Sequence, residues 1–213
     1  MTLRPIAGPL TLGFGALAVA TLVVAGLQLG WIPADETASV ALILLAAVVP
    51  AQLLTSTLGY LARDGVAGAG MGTLAGTWAA IGLILLTSDP GSTGHAPGFL
   101  LLVAAAVMLI PAAGAAMGKF VPAAVLATTA IRFALTGIWE LTGGNDWKIA
   151  SAIVGLILGA LAIYAAAALG LEDVAKRTVL PLGRHGEGAK AAAGDIRDQI
   201  ASIAHEPGVR QQL

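Results

Sequence analysis

Six predominantly apolar stretches, each about the length of one bilayer crossing, dominate what this chain can become. They cover residues 9–29, 37–61, 66–86, 97–117, 120–141 and 147–169. A helical span needs roughly 20 apolar residues. In hydrocarbon each backbone N–H and C=O must be satisfied within the spanning structure, which for segments of this length means helices. The expected fold is therefore an all-α integral membrane protein, a bundle of six transmembrane helices. Charge is too scarce for a water-facing surface: 11% of the residues are charged and 57% hydrophobic, against roughly 25% charged in soluble domains. The first stretch is too long for a secretory signal core, and no cleavage site follows it, so it reads as a span.

The connections are short and polar or helix-breaking: Pro33-Ala34-Asp35-Glu36, Arg63-Asp64-Gly65, Ser88-Asp89-Pro90-Gly91, Gly118-Lys119 and Thr142-Gly143-Gly144-Asn145-Asp146. Six spans put both ends on one side. That side collects Arg4, Arg63, Lys119, Lys176, Arg177, Arg184, Lys190, Arg197 and Arg210, whereas the other holds Lys148. The positive-inside rule then places both termini in the cytoplasm. Residues 1–183 form the expected membrane domain and 184–213 a cytoplasmic tail. Ile196, Ile200 and Ile203 fall on one helical face of that tail, so it reads either as a short amphipathic helix or as a frayed end. Gly68, Gly72 and Gly76, then Gly114 and Gly118, then Gly155 and Gly159, repeat at a four-residue spacing that suits close helix packing in lipid. Pro50 and Pro111 lie within spans and predict kinks.

The fifth stretch is the one that carries charge in its interior. Thr129, Arg132, Thr136 and Glu140 fall within a stripe about 80° wide. A central Arg costs at least about 2.5–3.5 kcal/mol on insertion scales, so it must face a partner or a wet cavity. Two readings follow: Arg132 lines a solute path, or it is locked to carbonyls or to an acid on another helix. Glu140 sits beside Trp139 and reads as interfacial. On the second stretch Gln52, Thr55, Ser56 and Gly59 form another polar stripe, and the third carries Thr73 and Thr77. Ser and Thr in such helices usually bond back to their own backbone. Gln52 has no such outlet and reads as pore-lining. No catalytic constellation is visible, and an enzyme is not expected. Cysteine is absent, His95, His185 and His205 lie in loops or the tail, and no phosphate loop occurs. No metal or cofactor is therefore expected. A net charge of −1 offers no basic surface for nucleic acid.

The runs 8–14, 155–164 and 177–183, taken together, resemble segments of the acetate uptake transporter family, the succinate–acetate permeases. The stretch 155–164, Gly-Leu-Ile-Leu-Gly-Ala-Leu-Ala-Ile-Tyr, ending at Tyr164, is similar to the family's sixth helix. Arg177-Thr178-Val179-Leu180-Pro181-Leu182-Gly183 is similar to its closing motif, with Arg177 and Pro181 as the matching residues. Gly8-Pro9-Leu10-Thr11-Leu12-Gly13-Phe14 resembles its Asn-Pro-Ala-Pro-Leu-Gly-Leu signature through Pro9 and Leu10. Ala51-Gln52, Tyr60 and Trp78 also match. The resemblance spans about residues 7–183. It implies a permease for acetate and succinate-like carboxylates at the plasma membrane, with proton symport as one mode and a homohexamer with one pore per protomer as the assembly. The family's apolar Phe, Tyr and Leu constriction aligns with Gly15 (beside Phe14), Ala47 and Thr129. This predicts a wider, more polar constriction. The Glu usual near the end of the sixth helix aligns with Leu169, which counts against proton coupling.

The leading reading is a carboxylate permease or channel whose path includes Phe14, Gln52, Thr55, Thr129, Arg132 and Thr136. The alternatives are a channel for small neutral solutes such as urea, which has no need of a buried cation, and a non-transporting scaffold subunit, in which Arg132 is paired with an acid.

Overall fold

The computed structural model describes residues 7–186, 188 and 189. Six helices in it are long and apolar enough to cross a membrane: α1 (Leu10–Gln28), α2 (Ala34–Leu61), α3 (Gly65–Thr87), α4 (His95–Ala116), α5 (Phe120–Thr142) and α6 (Asn145–Ala175). The six expected spans are all present. Their ends follow local chemistry. Asp64 caps α3, its carboxylate accepting from the Ala67 N–H at 2.9 Å. Gly143 ends α5 with φ +68°, in the left-handed region. Two details differ from expectation. Helix α6 runs six residues past Leu169, because Glu172 and Asp173 are tolerated where the helix leaves the apolar layer. His95 opens α4 rather than lying in a loop.

Helix α2 is not uniform. It begins with a 3₁₀ turn at Ala34–Glu36, continues as α-helix over Thr37–Ile43, widens to a π turn at Leu44–Val48 and resumes at Val49–Leu61. Pro50 stands at the start of the resumed segment. A proline removes one backbone donor, and the extra residue of the π turn is how this helix accommodates it. Pro111 lies inside a continuous α4.

Each helix packs on its chain neighbours, and α6 packs back on α1, so the six close a ring. Side chains facing the ring interior form the core: Phe14 and Leu17 from α1, Val48 from α2, Met71, Leu74 and Trp78 from α3, Met108 from α4, and Leu126 and Phe133 from α5. The glycine stripes bring neighbouring helices together. A Cβ on Gly59 would sit 2.9 Å from the Gly68 nitrogen, and one on Gly68 would sit 2.7 Å from the Tyr60 ring. Gly114 meets Val66, and Gly159 is pressed by Leu22. Gly76 meets nothing and faces outward. Because Gly59 opposes backbone and not a movable side chain, Gly59→Leu is expected to wedge α2 from α3. The cost should reach or exceed the usual 1–3 kcal/mol or so of overpacking, seen as a lower unfolding temperature in detergent than for Ala69→Leu on the same helix pair.

Residues 177–186 return from α6 to the turn between α4 and α5. The Phe120 and Val121 amides, two donors left free in the first turn of α5, bond to the Gly183 and Leu182 carbonyls at 3.1 Å each. The His185 amide donates to Gly118 O at 3.0 Å, Leu182 is buried, and Arg184 pairs with Glu172. Thus the bundle's contacts extend past residue 183. Ile196, Ile200 and Ile203 lie outside the described residues. The His185 ring touches Gly183 O (3.0 Å) and Ala116 O (2.8 Å), and these two acceptors raise its pKa above 6.5. The cation can donate to both carbonyls, while the neutral ring has one N–H and must release one. This anchoring is therefore full below about pH 6.5 and is lost as pH rises through the raised folded value. Hydrogen exchange at the His185 and Val121 amides should show an extra acceleration over that interval, absent in His185→Ala.

Candidate functional site

Two cavities enter the ring from opposite ends. The one at the end away from the termini, called the outer cavity below, has a volume of about 130 Å³. Its mouth carries Asp89, Glu140 and Lys148, and its floor carries Trp78, Arg132 and Phe133. Glu140 accepts the Gly94 N–H at 3.0 Å and so ties the α3–α4 loop to α5. The cavity at the termini end, about 170 Å³, is roofed by Phe14, Met71 and Leu126. A third, wider recess of about 440 Å³ at the same end gathers Asp64, Lys119, Lys176, Arg177 and Arg184 around Ala7. Of the basic residues expected on one side, Lys119, Lys176, Arg177 and Arg184 gather there, at the end opposite Lys148.

Between the two cavities lies an apolar layer. Along α3 it runs from Met71 to Trp78, two helical turns or about 10 Å, with Leu74 midway and fully buried. Trp78 and Phe133 meet edge to face at 5.7 Å. Leu74, Trp78 and Phe133 fill it with apolar side chains, and the polar Thr129 is buried on α5 between the levels of Leu126 and Arg132. A Cβ on Gly15 would meet nothing within 4 Å, so this position turns from the core, and Ala47 is exposed on α2. Phe14, one residue from Gly15, points inward and supplies the aromatic group.

Arg132 stands midway along α5 and is 1% exposed. Its guanidinium carbon lies 5.8 Å from the centre of the Trp78 ring. Among the described residues no carboxylate pairs with it, and Nη1 has no hydrogen-bond partner. A cation in this position is held by the indole face and borders a cavity. Gly155 on α6 makes the room: a Cβ there would fall 2.9 Å from Arg132 Cζ. The Gly155 carbonyl in turn accepts the Thr21 hydroxyl at 3.2 Å. These contacts place the guanidinium at the level of Thr21 on α1.

Of the remaining expected path residues, Thr136 lines the outer cavity and donates its hydroxyl to Arg132 O at 2.9 Å. Thr129 is buried, donates to Val125 O at 2.8 Å and lines neither central cavity. Thr55 bonds Ala51 O at 2.8 Å and reaches Pro9 O at 3.4 Å. Gln52 is fully buried on α2, with neither amide atom partnered. Among the residues matched by resemblance, Pro9 caps α1, Leu10 lines the lower cavity, Arg177 lines the wide recess, and the Tyr164 hydroxyl donates to Pro181 O at 2.8 Å. Sequence reading missed Gln28, which is 6% exposed, lines the outer cavity and has both amide atoms unpartnered. Its place at the end of the first stretch disguised it as an interfacial residue. Phe133, one residue from Arg132, was also missed.

No protein-family profile and no curated protein matches the chain. A solved structure, that of the bacterial acetate channel SatP, matches it with a TM-score of 0.75 at 24% sequence identity, covering 84% of this chain and 99% of that one, so this chain has the fold of that channel.

Proposed function

We propose that the chain is a channel for small carboxylates, with the anion held by Arg132 at the floor of the outer cavity before it crosses the apolar layer. The observation that carries this reading is Arg132 itself: a buried cation with no acid partner among the described residues, bordering a cavity open to one end. A structural Arg needs a counter-charge, and a neutral-solute pore needs no cation. The shared fold with an acetate channel supports the same substrate class. No Asp or Glu is among the buried described residues, and Leu169 stands where the resembling family has a Glu. Both observations favour passive passage over proton symport. The lysine and arginine cluster around the wide recess supports cytoplasmic termini in the plasma membrane, and the outward Gly76 suits a homo-oligomer, which the family resemblance makes a hexamer.

The test is flux of labelled acetate and of urea into proteoliposomes with and without a pH gradient. Saturable acetate uptake that exceeds urea uptake and survives collapse of the gradient is expected. Urea passage with acetate at the level of empty liposomes would overturn the reading in favour of a neutral-solute pore.

A further inference from the structure

The glycines of α6 differ in what they make room for. A Cβ on Gly159 would meet Leu22 and one on Gly170 would meet Thr11, both on α1, so these two serve helix packing. At Gly155 the three heavy atoms nearest a Cβ all belong to Arg132: Cζ at 2.9 Å, Nε at 3.0 Å and Nη2 at 3.1 Å. Ordinary contact begins near 3.4 Å, so the guanidinium fits against α6 only because position 155 has no side chain. The backbone behind it is pinned as well. The buried Thr21 hydroxyl on α1 donates to Gly155 O at 3.2 Å.

On its other side the guanidinium faces the Trp78 ring of α3, whose centre is 5.8 Å from Cζ. Arg132 and Trp78 line the outer cavity, and Gly155 does not. The charge thus stands drawn back toward α6, and a group added at position 155 pushes it the opposite way, into the space of the cavity. We propose that Gly155 is a positioning residue for the anion-holding charge: its missing side chain sets how far the guanidinium withdraws and, with that, the length of carboxylate the outer cavity admits; this rests on the carboxylate reading above. A Cβ would displace the guanidinium by at least about 0.5 Å, the shortfall of the 2.9 Å approach from ordinary contact. The cavity is only about 130 Å³, so the solute loses room that it cannot recover elsewhere. The displaced atoms end a flexible side chain, and alanine is a better helix former than glycine, so the fold can absorb the change.

The experiment compares uptake of labelled propionate and acetate into proteoliposomes by the unmodified protein and by Gly155→Ala, together with unfolding temperatures in detergent. Gly155→Ala should unfold close to the unmodified protein and lower the propionate-to-acetate ratio about tenfold, the discrimination one methylene can carry. If the unmodified protein carries no propionate, the same comparison between acetate and formate decides. A glycine that only packs helices would change both acids alike. An unchanged ratio in a folded Gly155→Ala protein would therefore overturn the assignment while leaving the carboxylate reading intact. Absence of any carboxylate flux in the unmodified protein would overturn both. The double variant Gly155→Ala/Arg132→Leu isolates the contact, since leucine ends short of the guanidinium atoms. If Gly155→Ala alone is unstable, recovery of folding in the double variant supports the contact with Arg132, and persistent instability overturns it.

Discussion

Arg132→Leu is expected to fold, insert and assemble normally and to lose most acetate flux, on the order of ten- to a hundredfold, the worth of a charged hydrogen bond. Both halves follow from how the side chain is held. Among the described residues no carboxylate pairs with Arg132, so its removal strands no counter-charge. What is lost is the contact with the Trp78 ring at 5.8 Å, worth about 0.5–2 kcal/mol, set against relief from burying a cation in the membrane. Thr136 bonds to the backbone carbonyl of residue 132 and keeps that bond in the variant. Arg132→Lys should retain part of the flux, since a point charge stays while the planar fork and its stacking are lost. Flux of acetate and thermal stability in detergent should be measured together. A stable Arg132→Leu protein with undiminished acetate flux would remove the guanidinium from the transport path, and an unstable one would give it a structural role.

The spans were legible because hydrocarbon imposes a length and an internal hydrogen-bonding rule that any sequence must display. Arg132 was legible for the same reason: its burial is costly enough to demand an explanation wherever it occurs. The interior was harder to read. Gly15, aligned by resemblance, and its neighbour Phe14 are one residue apart, but one residue turns a helix by about 100°, so Phe14 is buried while a Cβ on Gly15 would meet nothing. The π turn of α2 is a change of pitch that no residue pattern announces, and Ala47 within it is exposed. Gln28 could not be singled out, because its place on the cavity wall depends on α1, α3 and α5 meeting around one cavity. Its position at a span end offers an ordinary interfacial reading. The polar stripe from Thr129 to Glu140 was real in direction, yet depth divides it: Arg132, Thr136 and Glu140 border the cavity while Thr129 lies below it, bonded to its own helix.

The apolar layer makes the second large prediction. Trp78→Ala should raise the passage of urea and other small neutral solutes well above that of the unmodified protein, and should weaken the preference for acetate. Trp78 is 1% exposed, forms the floor of the outer cavity with Phe133, and is the largest fully buried side chain among the described residues. An apolar constriction excludes solutes by excluding water, and its effectiveness depends on thickness. Truncation at position 78 removes the upper of the two turns between Trp78 and Met71, leaving Leu74, Met71 and Phe14 as the seal. A buried Trp→Ala change costs about 3–5 kcal/mol when the space stays empty. Here the space adjoins a cavity with Arg132 on its wall, so water can enter and offset part of that cost. Arg132 loses its stacking partner in the same step and is left hydrated, which should loosen its hold on the anion. Trp78→Phe is the matched control: it keeps an aromatic plug and the face that the guanidinium stacks on, and should stay close to the unmodified protein in urea exclusion. Stopped-flow light scattering on proteoliposomes reads the urea rate directly. If Trp78→Ala is folded and excludes urea as well as the unmodified protein does, the barrier is set lower in the ring, at Phe14 and Met71, and Trp78 serves only to hold Arg132.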